Sequence, residues 1–271
     1  MSVLTNPAAA TRIVPATVFD VRRPHRMVER SLMTYRRNWL VIVTGVFEPL
    51  FYLLSIRIGL ASLVGEVETG GVLVAYDQFV APGLMAASAM NGAVFDSTMN
   101  VFFKIKVAKT YDAVLTTPMT AADVALGEIC FAVLRGALYS TAFMCTMWVL
   151  GMVESPWIVL SVPACVLIGF AFAALGMALT TYMRGWEDFE YVPAATLPLF
   201  LFSATFYPLG QYGSWAWAVQ LSPLYHGVEL VRAANLGRWD ATIPVHIAVL
   251  LGLTALGAII ASRRLERLLL T

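Results

Sequence analysis

The chain has 271 residues, of which 59% are hydrophobic and 13% charged, with a mean hydropathy of +0.74 and a formal net charge of +1. Soluble domains run at roughly 45–50% apolar and about 25% charged, so a single water-facing domain is excluded and lipid is the expected solvent. The three cysteines, Cys130, Cys145 and Cys165, all lie in apolar stretches without ligand-like spacing. They read as small buried hydrophobes.

Residues 1–38 carry seven arginines and no apolar run of signal-peptide length. They are expected to form a cytoplasmic N-terminal segment. Pro24 can open a helix at its first turn, and Val28, Leu32, Tyr35 and Trp39 then share one face while Arg26, Glu29, Arg30, Arg36 and Arg37 occupy the other. That pattern suits a helix lying in the membrane interface, near anionic headgroups.

Six segments are apolar over about the 20 residues a spanning helix needs. They are residues 39–60, 79–99, 130–153, 155–183, 191–207 and 243–262. Glu48-Pro49 interrupts the first, where proline is expected to kink the helix. Asp96, Glu128 and Arg135 sit near the ends of the second and third, where interfacial pairing accounts for them. Positive charge orients the set: with both termini inside, fourteen of the eighteen Lys and Arg residues fall on the cytoplasmic side. Residues 39–262 thus form a six-span domain, and 263–271 a basic cytoplasmic tail.

Two connecting stretches do not read as ordinary loops. Between spans two and three, Tyr111, Val114 and Leu115 make an apolar patch beside Lys104, Lys106 and Lys109, and Pro118 ends the helix. Such a helix suits a groove in another protein, or equally a connector resting on the bilayer. Residues 208–240 are long yet aromatic, with Tyr212, Trp215, Trp217 and Tyr225, and are broken by Gly210, Gly213, Pro223 and Gly227. They are expected to form one or two short helices that dip into the membrane or cap the bundle.

The only lysines are Lys104, Lys106 and Lys109, and none follows a glycine-rich loop, so the chain has no P-loop with which to hydrolyse ATP. His25, His226 and His246 are scattered along the sequence, and no metal or catalytic residue is assigned. Glu48, within span one, is the intramembrane polar group with a candidate transport role.

Several segments together resemble the ABC-2 type permeases, and among them the subgroup that exports nodulation lipooligosaccharides. The residues that carry the likeness are Tyr35-Arg-Arg-Asn-Trp39 with Glu48-Pro-Leu50, Pro82-Gly-Leu-Met85, Phe95-Asp-Ser-Thr98, and Lys109-Thr-Tyr-Asp-Ala113 with Thr117-Pro118. Phe202-Ser-Ala-Thr-Phe-Tyr-Pro208, Pro223-Leu-Tyr-His-Gly-Val-Glu229 and Val231-Arg232 complete it. The chain departs from many relatives at Gln211-Tyr212-Gly213, where they carry proline and an acidic residue.

This resemblance implies an all-α membrane fold of six spans with an interfacial N-terminal helix, a cytoplasmic coupling helix and an outer re-entrant helical hairpin. It implies a non-catalytic subunit of an exporter in the bacterial inner membrane. A separate cytoplasmic ABC ATPase would hold ATP and Mg, and a second permease chain, identical or homologous, would complete the path. No cofactor is implied in this chain, and no nucleic acid among its partners besides membrane lipid. Lys109, Thr110, Tyr111, Asp112, Leu115 and Thr116 would meet the ATPase, and Phe206, Tyr207 and Pro208 would lie at the outer gate. The cargo would be amphipathic: a lipid-linked saccharide, another lipid or a hydrophobic drug. The competing reading is an ion-coupled secondary transporter, for which Glu48 is the candidate coupling group.

Overall fold

The computed structural model describes residues 28–29, 50–108, 110 and 121–269. Within them the regular structure is helical apart from one two-stranded hairpin. Helix α1 is Leu50–Val64, with a π-helical turn over Ile56–Leu60, and it stops at Gly65, whose φ of 75° few other residues adopt. Strands β1 (Glu66–Thr69) and β2 (Val72–Ala75) pair antiparallel, Thr69 opposite Val72. Gly70 and Gly71 make the two-residue turn, both with positive φ, as the favoured hairpin turn demands. This hairpin lies between the first two expected spans, residues 39–60 and 79–99.

Helix α2 (Tyr76–Phe95) runs on through π-helical turns at Asp96–Asn100 and Phe103–Val107. Helix α3 is Ala121–Val149. The Ser155 hydroxyl caps a short turn at Pro156–Leu160, where proline costs no hydrogen bond, and the chain enters α4 (Ser161–Thr180). A second turn, Trp186–Glu190, leads into α5 (Tyr191–Leu201). After a break come a turn over Leu209–Trp215, then α6 (Ala216–Gln220), α7 (Pro223–Leu236) and α8 (Ile243–Leu269).

Helix α4 is the hub, packed against α2, α3, α7 and α8. Small residues let the backbones approach, the arrangement helices favour where lipid removes the usual hydrophobic drive. A Cβ added to Gly257 of α8 would lie 2.7 Å from the Ala174 carbonyl carbon of α4, and one on Gly227 of α7 would lie 2.6 Å from Ile168. Phe79, Met85, Met90, Met147, Ile168, Met177 and Leu224 fill the centre and are fully buried. Outward-facing residues are apolar too: Phe51 and Ile58 on α1, Leu197 and Leu201 on α5, Leu251 and Ile259 on α8.

Three helical segments among the described residues are long and apolar enough to cross a membrane: Asp123–Val149, Pro156–Thr180 and Ile243–Leu268. The predicted third span starts later than α3 does, because the polar residues of the first two turns hid its N-terminal end. The expected basic tail at 263–271 continues α8 as helix up to Leu269, with Leu265 buried. Predicted span five is shorter than expected: the helix stops at Leu201.

Candidate functional site

The polar chemistry gathers at the two ends of the bundle. At the end bearing the β-hairpin, α5 gives way to Phe202-Ser-Ala-Thr-Phe-Tyr-Pro208. The last backbone bond of the helix is the Phe202 N–H donating to Pro198 O at 2.9 Å. The Ser203 hydroxyl then contacts Leu199 O and meets the Ser222 hydroxyl, each at 2.5 Å. A serine side chain thus takes over from the backbone where the helix ends.

Ala204, next in line, has a φ of 55°, alone among the described non-glycine residues in the positive region. Thr205 is fully buried against Gly83 of α2, where an added Cβ would lie 3.0 Å from the Thr205 Cα. The break is held on a third side by Arg232 of α7, whose Nη2 donates to Ala204 O at 2.6 Å. Its Nη1 pairs with Glu229 at 2.5 Å, and its guanidinium carbon stands 4.1 Å from the centre of the Phe79 ring.

Of the predicted gate residues, Phe206 is half-buried with its ring edge-on to Phe200, and Tyr207 is 59% exposed. Pro208 precedes the next helical turn. The short helices expected over 208–240 are α6 and α7. Gly237, at φ 68°, ends α7 against Ser155 and Trp157. Asn235 ties the same end together, its amide donating to Met152 O at 3.2 Å.

His226 and His246 are not scattered in space. Their Nδ1 atoms are 2.8 Å apart, so one ring donates its N–H and the other accepts. The helical return between α7 and α8 brings together positions twenty residues apart, which no local pattern announces. Asp240 accepts from the Thr242 N–H at 2.9 Å and from its hydroxyl, and these bonds hold its carboxyl below the usual carboxylate range.

At the opposite end, the expected pairing of Asp96, Glu128 and Arg135 is present. Arg135 of α3 forms an ion pair with Asp96 of α2, which also accepts from Asn100 at 2.7 Å. Glu128 pairs with Lys104 at 2.5 Å. The two acids stay buried, and one oxygen of each, Asp96 Oδ2 and Glu128 Oε1, has no hydrogen-bond partner among the described residues. Phe102, Trp186 and Phe189 form an aromatic cluster, their ring centres 5.0–5.6 Å apart. Asp188 accepts the Arg184 and Gly185 backbone N–H groups, which lower its pKa from the ordinary carboxylate value.

At this same end, a groove of 280 Å³ lies between the last turns of α2 and the start of α5, its walls including Val94, Phe95, Thr98, Phe189, Val192 and Thr196. The walls are mainly apolar, with Asn91, Thr98 and Thr196 as polar points. Such a lining suits a molecule with both apolar and hydrogen-bonding parts. No group of three or more His, Cys, Asp or Glu side chains that could hold a metal occurs among the described residues. Glu48 and the residues Lys109, Tyr111, Asp112, Leu115 and Thr116 lie outside the described residues; Thr110 is described and is helical.

Long apolar helices, small-residue packing and charges buried in pairs define an integral membrane protein of the helical-bundle class. The chain belongs to the ABC-2 type transporter family, whose model, described as "ABC-2 type transporter", matches residues 25–236. Its relatives include Nodulation protein J of Sinorhizobium fredii strain NGR234, 30% identical over 224 residues that cover 82% of this chain and 84% of the relative. Nodulation protein J of Rhizobium meliloti is 28% identical over 229 residues, covering 81% and 86%. The same-named protein of Bradyrhizobium diazoefficiens is 27% identical over 241 residues, covering 88% and 89%.

Proposed function

We propose that this chain is the membrane-spanning permease subunit of an ATP-driven exporter that moves an amphipathic substrate outward across the bacterial inner membrane. The observation that carries the reading is the family match over residues 25–236, which takes in both the segment around Lys109 and the helix break at 202–208. In this reading ATP and Mg belong to a partner, a cytoplasmic ABC ATPase, in keeping with the lack of a P-loop in this sequence. A second permease chain completes the path. The six-span topology with both ends inside rests on the distribution of Lys and Arg.

In this reading the hairpin end of the bundle is the outer one. Helices α6 and α7 form the re-entrant hairpin, and Phe206, Tyr207 and Pro208 line the outer gate. The segment of Lys109, Thr110, Tyr111, Asp112, Leu115 and Thr116 docks on the ATPase. ATP closure of the paired ATPases pushes on that segment, the spans shift as near-rigid bodies, and the substrate passes from the inner leaflet outward. A lipid-linked saccharide is the first choice, in keeping with the nodulation proteins among the relatives, and a hydrophobic drug the second.

The test is purification of the chain from its native membrane in mild detergent, with mass spectrometry of all co-purifying proteins. A stoichiometric P-loop ATPase is expected. Recovery of the chain alone after crosslinking would overturn the proposal. A second reading, an ion-coupled carrier, draws on the half-satisfied buried carboxyls of Asp96 and Glu128. It requires transport that continues without ATP.

A further inference from the structure

The broken end of α5 is sealed by a side chain whose burial its own ion pair does not explain. Glu229 and Arg232 stand one helical turn apart, and the Glu229 side chain is 29% exposed, so this pair could form at the surface. The guanidinium is instead 5% exposed, with Phe79 beneath it and the Ala204 carbonyl in front. Desolvating an arginine is costly, and only a planar group with several donors can meet a carboxylate, a carbonyl and a ring face at once. The carbonyl it holds belongs to Ala204, whose backbone conformation an unrestrained alanine avoids. On one side of Ala204 lies fully buried Ser203, and on the other fully buried Thr205; two residues further on, Tyr207 is exposed. The contact therefore sits where a sealed interior meets an open surface.

We propose that Arg232 is a positioning residue that clamps the break at Ala204 against α2 and so keeps the gate end of the path shut. The inference rests on the reading of Phe206 and Tyr207 as gate residues. With the clamp in place, the Ala204 carbonyl is satisfied, the strained backbone is retained, and Thr205 stays pressed on Gly83. Without it, the carbonyl must seek another donor and the 202–208 segment relaxes away from α2.

The test uses Thr205→Cys, a near-isosteric change at a fully buried position, in a full-length chain whose Cys130, Cys145 and Cys165 are replaced by alanine, expressed with its partner proteins. A membrane-impermeant maleimide is added to the outer face of intact cells. Arg232→Gln is expected to raise the labelling rate of the new thiol roughly tenfold, because local opening is limited by that charged hydrogen bond. Arg232→Lys, which keeps the charge but not the fork of donors, should give a smaller rise and supplies the answer if the Gln variant does not reach the membrane. Met152→Cys, also fully buried and tied to the same end of α7, serves as a control and should not change. Unchanged labelling of Thr205→Cys in both Arg232 variants would overturn the inference, as would a parallel rise at Met152→Cys, which would mean general loosening. Export measured with Phe206→Ala and Tyr207→Ala reports on the gate reading separately: intact export there would remove the gate, while the labelling still reports on the clamp.

Discussion

Thr205 lies so close to Gly83 that a single added carbon would meet its Cα at 3.0 Å and its carbonyl oxygen at 3.1 Å. Two of the three nearest atoms are backbone and the third is the Thr205 methyl at 3.0 Å, so turning that side chain would not relieve the contact. Gly83→Ala is therefore expected to destabilise the chain by about 1–3 kcal/mol, the usual cost of overfilling a packed site. Gly252→Ala on α8, where nothing lies within 4 Å, should cost nothing and add up to about 1 kcal/mol through helix propensity. Resistance of the purified protein to denaturation in graded SDS compares the two. Equal behaviour of both variants would show that the break does not press on α2.

The pair of Arg135 and Asp96 ties α3 to α2, with Asp96 buried and the Arg135 side chain 11% exposed. Removing one member leaves a buried charge without its counter-ion, whereas removing both does not. Arg135→Leu should cost on the order of 3–5 kcal/mol, and the double change with Asp96→Leu should recover most of it. A double-mutant cycle in SDS denaturation measures this. Single and double variants of equal stability would mean that the pair contributes nothing beyond its separate parts.

Helix α8 meets α4 through Gly257, where an added Cβ would lie 2.7 Å from the Ala174 carbonyl carbon and 2.8 Å from the Leu175 nitrogen. Gly257→Val forces these two helices apart, and a loss of about 1–3 kcal/mol is expected. The same change at Gly252, one and a half turns away, serves as its reference. The readout is the thermal midpoint of the detergent-solubilised protein.

Asp188 gives the chain a small pH dependence of known sign. Its folded pKa lies below the ordinary value because the backbone N–H groups of Arg184 and Gly185 favour the carboxylate. Its contribution is therefore complete above the unfolded value of about 3.9, and fades as pH falls through the lower folded value. The stability difference between wild type and Asp188→Asn should be constant from neutral pH down to about 5 and shrink towards zero in stronger acid. A difference that grows on acidification would contradict the assignment.

Much of this was readable from the sequence wherever the signal is local. Apolar runs located α3, α4 and α8, and the charges Asp96, Glu128 and Arg135 foretold their pairing. The aromatic, glycine-broken stretch over 208–240 announced α6 and α7. What escaped depends on distant contacts. The 191–207 stretch carries no charged residue, so its composition alone does not show that the helix stops at Leu201, where Ser203 takes over the Leu199 carbonyl. Arg232 carries a motif position in the sequence, yet its three partners come from α2, α7 and the break. The meeting of His226 and His246 likewise follows from the return of the chain between α7 and α8.

The most direct measurement is transport itself, in inside-out membrane vesicles containing this chain together with its co-purifying ATPase. A fluorescent lipid-linked saccharide is added outside, with or without ATP, in the presence and absence of a protonophore. A permease of an ATP-driven exporter accumulates the substrate only with ATP, loses it when the partner's P-loop lysine is changed, and is indifferent to the protonophore. Uptake that proceeds without ATP and collapses with the ion gradient would contradict this, and would make the chain an ion-coupled carrier.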